Sequence, residues 1–123
     1  MKELEKARLK QARESLDEAQ ALLTDGMDTG LVLTNLFYAF YYSILALMNE
    51  GQTPTTMQSV TLGLFEQQFI KTGKLPKRFR DAIQRVFDSK PKCSGEKTPV
   101  SADEVNTLLD RAREFINDVE ELL

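Results

Sequence analysis

Apolar residues recur along this chain at spacings of three and four, and that period predicts five helices. The first spans Lys2 to Thr24: Leu9, Ala12, Leu16, Ala19 and Leu23 form one stripe, and five basic and five acidic residues from Lys2 to Glu18 fill the other face. Asp25-Gly26 ends it, with the glycine suited to a left-handed cap. The second starts at Asp28, an N-cap residue type, and runs to about Glu50. Leu31, Leu33, Phe37, Phe40, Tyr41, Ile44, Leu45 and Met48 make nearly all of its sides apolar. Such a helix has to be wrapped by its neighbours, so it is the expected centre of the fold.

A third helix is expected over Thr55 to Lys71, with Val60, Leu64, Phe65 and Phe69 turned inward, before Thr72-Gly73 breaks it. A fourth opens near Pro76 and buries Phe79, Ile83, Val86 and Phe87, with Pro91 closing it. Residues 90–99 read as a polar loop. Ser101-Ala102-Asp103-Glu104 then gives a capping-box pattern. Val105, Leu108, Leu109, Ala112, Phe115, Ile116, Val119 and Leu122 follow at helical spacing. No segment alternates as a strand does. The expected fold is all-α, an up-and-down bundle of four or five helices in a single domain over residues 1–123.

The stretch Thr29 to Asn49 has no charge, yet Thr34, Asn35, Tyr38, Tyr41, Tyr42 and Ser43 interrupt it, so a buried helix is expected and a membrane span is not. The first twenty residues are charged and carry no apolar leader. One cysteine, Cys93, permits no internal disulfide and fits a reducing cytoplasm; near Lys90, Lys92 and Lys97 it reads as an inert loop thiol.

Composition contributes one decisive fact: there is no histidine. That removes the commonest general base and the usual nitrogen ligand for metals, and so excludes self-contained hydrolases built on histidine. No metal-ligand spacing is present, and no cofactor is expected. The net charge of −3 is mild, but its distribution is uneven. Residues 71–92 hold eight basic side chains (Lys71, Lys74, Lys77, Arg78, Arg80, Arg85, Lys90, Lys92) against Asp81 and Asp88; residues 101–123 hold seven acids against Arg111 and Arg113. Two solvated faces that attract each other would explain this. So would a basic patch facing the phosphates of RNA or a nucleotide, or one facing an acidic protein.

Four motifs, in order, resemble the HEPN family in its small stand-alone bacterial and archaeal branch. Ala12-Arg13-Glu14-Ser15-Leu16-Asp17-Glu18-Ala19 resembles the family's opening small residue, Ser-Leu pair and alanine. Asn35-Leu36-Phe37-Tyr38-Ala39-Phe40-Tyr41-Tyr42 is similar to its N-R-A-Y-Y-A-M-F. Leu64-Phe65 through Phe69-Ile70-Lys71-Thr72-Gly73-Lys74-Leu75 resembles L-F…F-V-K-T-G-K-L, and Ala112-Arg113-Glu114-Phe115-Ile116 resembles A-x-x-F-I. The resemblance implies a HEPN-like bundle. It also implies a homodimer, a small nucleotidyltransferase as partner in a toxin–antitoxin-type pair, or binding of RNA or nucleotides.

The departures bear on activity. Gln58 stands where relatives usually place a histidine. Active ribonucleases of the family carry an arginine and, a few residues on, a histidine near the end of the fourth helix; the stand-alone branch more often has Arg followed by Asp-Tyr. Here Ser89-Lys90-Pro91-Lys92-Cys93 offers Lys90 in the arginine's place and completes neither pair; Arg85 is a nearby alternative. Metal-free RNA cleavage needs a base for the 2′-hydroxyl and a cation for the pentavalent phosphate. Lys90, Arg85 or Arg80 would supply the cation, but nothing supplies the base, so no catalytic residue is assigned. The candidate binding residues are Asn35, Tyr38, Tyr42, Arg80, Arg85 and Lys90. The first three lie one turn apart on one helix face, where they either pack inside the bundle or a dimer seam, or stack on and read a base.

Overall fold

The computed structural model describes residues 2–26, 28–48, 58–89 and 100–123. They form α1 (Glu3–Thr24), α2 (Thr29–Leu47), α3 (Gln58–Phe65), α4 (Lys77–Ser89) and α5 (Ala102–Leu122), with no strand among them. A π-helical turn, Glu66–Ile70, continues α3. The all-α bundle read from the hydrophobic period is therefore the observed fold.

Local chemistry sets most of the ends. Gly26 takes a positive φ of 71°, and its N–H and that of Asp25 return to the carbonyls of Leu23 and Ala21, which closes α1. Asp28 Oδ1 accepts the Gly30 N–H at 3.0 Å and opens α2. Gly73, at φ 79°, turns the chain after the π segment, and Leu75 N–H bonds back to Phe69 O at 2.9 Å. Ser101 Oγ accepts the Glu104 N–H at 3.1 Å at the start of α5. Only half of the expected capping box forms there, because the Glu104 carboxylate is drawn to Arg85 instead.

Helix α2 lies at the centre, packed chiefly on α1 and α5 and then on α4. Val32, Leu33, Leu36, Phe37, Phe40 and Ile44 are fully or almost fully buried. They join Leu9, Leu16, Phe79, Val86, Leu109, Phe115 and Ile116 in a single apolar cluster. By length and composition α2 would cross a membrane, but 56% of that window is covered within the bundle, as a central helix requires.

Three apolar positions depart from expectation. Val60 is 44% exposed, because the inward line of α3 runs through Thr61 and Phe65. These lie four residues apart, and Val60, one position earlier, points about 100° away from it. Leu122 is half-exposed at the end of α5. Leu31 is half-exposed on α2, so the wrapping of that helix is incomplete on one side. The third helix also does not run to Lys71 as one α-helix. Its last turn carries i→i+5 bonding, with the Lys71 N–H on Glu66 O at 2.9 Å.

Candidate functional site

The uncovered edge of α2 contains the three residues proposed from its spacing. Tyr38 is exposed; Asn35 and Tyr42 are half-buried. The Tyr38 and Tyr42 rings stack, with centroids 5.9 Å apart and planes 28° apart. Tyr38 also meets the edge of Phe37, which in turn packs on Phe87 of α4. Asn35 Nδ2 donates to Leu31 O at 3.0 Å, a bond within the helix. With Gln11, Glu14, Ser15 and Glu18 of α1, Asn35 and Tyr42 line a shallow groove of about 300 Å³. Among these lining residues Glu14 and Glu18 are acidic and none is a cation, so the groove itself opposes phosphate.

The arginines lie elsewhere. Arg80 borders a cavity of about 230 Å³ whose wall is Leu62, Phe65, Ile83 and Phe87 and whose polar edge is Arg80 and Glu66. Arg80 Nε lies 3.1 Å from Glu66 Oε1, close enough for an ion pair but out of line for a hydrogen bond. Arg85 faces α5, where Nε and Nη2 donate to the two oxygens of Glu104 at 2.8 and 2.9 Å, a fork-on-fork pair. Arg78 reaches Glu114 at 3.3 Å, and Arg111 holds the other oxygen of Glu114 at 2.9 Å. Lys90 falls outside the described residues, as do Cys93 and the side chain of Gln58.

The five candidates among the described residues thus do not share one set of partners. Asn35, Tyr38 and Tyr42 share the outer edge of α2, Arg80 sits with α3 and the π segment, and Arg85 is bound to α5. Sequence reasoning missed the carboxylates that occupy these arginines: Glu66, Glu104 and Glu114. The signal was present in the opposed charge of residues 71–92 and 101–123, and the mutual attraction of those two segments is realised at Arg78–Glu114 and Arg85–Glu104. Among the described residues no three His, Cys, Asp or Glu side chains are arranged to hold a metal ion.

The hydrogen bonds from Arg85 hold the Glu104 carboxyl below its ordinary value of 4.5, despite some opposing desolvation, and the same bonds push the guanidinium up. A carboxylate whose folded pKa is depressed stabilises the fold above its unfolded pKa and loses that contribution as pH falls through the folded value. Both side chains are about a third exposed, so solvent screening limits the pair to about 0.2–1 kcal/mol. Glu104→Gln will therefore lower the urea midpoint at pH 7. The difference from wild type will vanish as pH is taken from 4.5 downward, which paired titrations at pH 7 and pH 3 will read.

A family model described as the HEPN domain matches residues 5–122. Among curated proteins, a UPF0332 protein of Thermotoga maritima is 28% identical over 115 residues, which cover 93% of this chain and 86% of the relative. No solved structure matches the chain significantly.

Proposed function

The chain belongs to the HEPN domain family, and we propose that it is a non-catalytic binding and interaction module within it, acting in the cytoplasm. One observation carries this reading: in a chain without a histidine, Arg80 and Arg85, the two candidate cations among the described residues, are committed to ion pairs within the bundle. Arg78, Arg80 and Arg85 each face a carboxylate of a neighbouring element. With no imidazole anywhere in the sequence, no group of the family's kind is left to take the 2′-hydroxyl proton. The partner the family resemblance suggests is a small nucleotidyltransferase in a toxin–antitoxin-type pair. The single cysteine is compatible with the reducing compartment in which such pairs work.

The purified chain, incubated with a mixed RNA pool in the presence of chelator, will yield no cleavage products, alone or with whatever protein co-purifies from its host. Cleavage that disappears on Lys90→Ala or Arg85→Ala would replace this reading with a degenerate or partner-completed ribonuclease. A second reading, a nucleotide-binding sensor, has one observation in its favour, the half-apolar cavity of about 230 Å³ edged by Arg80. It requires the melting temperature to rise in millimolar nucleotide, since a ligand that binds only the folded state stabilises it.

A further inference from the structure

The cavity between α3 and α4 is apolar along its walls and charged along one edge. Arg80, Ile83 and Phe87 follow one another along one face of α4 at spacings of three and four, and Leu62 and Phe65 of α3 complete the apolar wall. The charged edge holds one cation and one anion, Arg80 and Glu66, 3.1 Å apart. Two further observations mark the space as more than a packing gap. Gly63 stands inside α3 and lines the cavity, yet a Cβ there would meet no atom within 4 Å. A glycine inside a helix costs stability against alanine or leucine, and no close neighbour requires one at this position. Its effect is to leave the space open. The winding also changes at Glu66, where α3 gives way to the π-helical turn, a form that is rare and concentrated at functional sites.

We infer that this cavity binds a free α-amino acid with a large apolar side chain. The side chain lies against Leu62, Phe65, Ile83 and Phe87, the carboxylate on Arg80 and the ammonium on Glu66. Charge selects the class. Arg80 Nε is buried and makes no hydrogen bond, because Glu66 Oε1 approaches it out of line. A ligand carboxylate that meets the guanidinium in line takes up that donor, and charge assistance makes the bond a strong one. Glu66 then loses its partner, which opposes the exchange unless the same ligand brings an ammonium. A zwitterion does so, and one ion pair becomes two. The pair that opens is weak, since the Arg80 and Glu66 side chains are 41% and 34% exposed.

Size points the same way. A volume of about 230 Å³ lies below the roughly 300–1,000 Å³ of sites for drug-sized ligands, and suits a molecule no larger than an amino acid. A nucleotide would bring several negative charges to an edge with one cation and two carboxylates, since Asp81 Oδ1 also lies 3.4 Å from Arg80 Nη1. This inference stands apart from the interaction-module reading: RNA cleavage would overturn that reading and leave the ligand of the cavity untouched.

The test is calorimetric titration of the full chain with L-leucine and L-phenylalanine, beside hydrocinnamate and phenethylamine, which each lack one charge of phenylalanine. At least one of the two amino acids will bind at micromolar to millimolar concentration, and glycine, a zwitterion with no apolar side chain, will not. For phenylalanine, loss of either charge will weaken binding about 10-fold or more, as expected for a hydrogen bond to a charged group. Glu66→Gln will weaken phenylalanine by a similar factor and tighten hydrocinnamate, because Arg80 no longer has a competing carboxylate 3.1 Å away. A purely structural role for the ion pair would move both ligands in the same direction. Gly63→Leu places a side chain in the open space; it will abolish binding while raising the urea midpoint, since leucine favours a helix and meets no clash at its Cβ. Glu66→Gln carries the test if Gly63→Leu does not fold. Four results overturn the inference: no binding of either amino acid up to millimolar concentration, analogues that bind as tightly as phenylalanine, a Glu66→Gln variant that shifts both ligands alike, or a folded Gly63→Leu variant that binds as wild type does. ATP that binds the wild type and is lost in Gly63→Leu assigns the cavity to a nucleotide and overturns it equally.

Discussion

Phe115→Ala will lower the free energy of unfolding by about 3–5 kcal/mol, the cost of removing a large aromatic from a well-packed core. Phe115 has no exposed surface, and its ring meets Phe40 at 5.5 Å, Phe65 at 5.7 Å and Phe79 at 5.2 Å. These partners sit on α2, α3 and α4, so one side chain of α5 joins four helices. The contacts with Phe65 and Phe79 are edge-on, which aromatic rings favour over face-to-face stacking. Truncation leaves a void that three other rings border and that no small neighbour fills. Domains of this size have about 5–15 kcal/mol in all, so the urea midpoint will fall by a large fraction of its wild-type value. Phe69, half-buried at the margin of the core, is the comparison: its ring stacks on Phe65 and carries the Lys74 ammonium on its face, and its loss will cost less.

The second large effect comes from adding atoms. Ala39→Leu will destabilise the fold by about 1–3 kcal/mol, the usual cost of overfilling a close-packed site. Ala39 is fully buried one turn on from Asn35, which borders α1, and Ala12 and Ala19 of α1 and Ala46 of α2 are buried as completely. Alanines on both helices let the two backbones approach closely, and α1–α2 is the most extensive helix pair in the bundle. A leucine at position 39 has to push them apart. Ala21→Leu, on the exposed side of α1, adds the same atoms into solvent and will change stability by about 0.5 kcal/mol or less. Chemical denaturation of the two variants side by side separates overpacking from any general effect of leucine.

Much of this architecture is legible in the chain because helices are local. The stripes of α1, α4 and α5, the asparagine-and-tyrosine edge of α2, and the caps at Gly26, Asp28 and Ser101 all follow from residues within a turn or two of one another. What could not be read depends on residues far apart in sequence. Nothing near Arg85 announces Glu104, nineteen positions on, and nothing near Arg78 announces Glu114, thirty-six positions on. Spacing along one helix groups Asn35, Tyr38 and Tyr42 correctly, but it cannot say that Arg80 and Arg85, five residues apart, face different elements. Glu104 illustrates the limit in a single residue. Its position three after Ser101 predicts a local bond to the chain; a guanidinium from another helix draws it away. Val60 fails for a related reason, since the hydrophobic period allows two adjacent inward lines and only packing chooses between them.

The place of Phe115 on α5 also has a consequence for how the protein is made. Of the five helices α5 is the last to leave the ribosome, and it brings the ring on which α2, α3 and α4 converge. At about 5–20 residues per second, the 21 residues of α5 take on the order of 1–4 seconds to synthesise. During that interval the α1–α2 hairpin has its partner helix, but the faces of α2 and α4 that will hold α5 are open to water and to other nascent chains. A destabilised α5 therefore does more than lower an equilibrium constant. It lengthens the time for which each new molecule needs a chaperone, and steady-state abundance in the cell will fall further than the unfolding free energy alone implies.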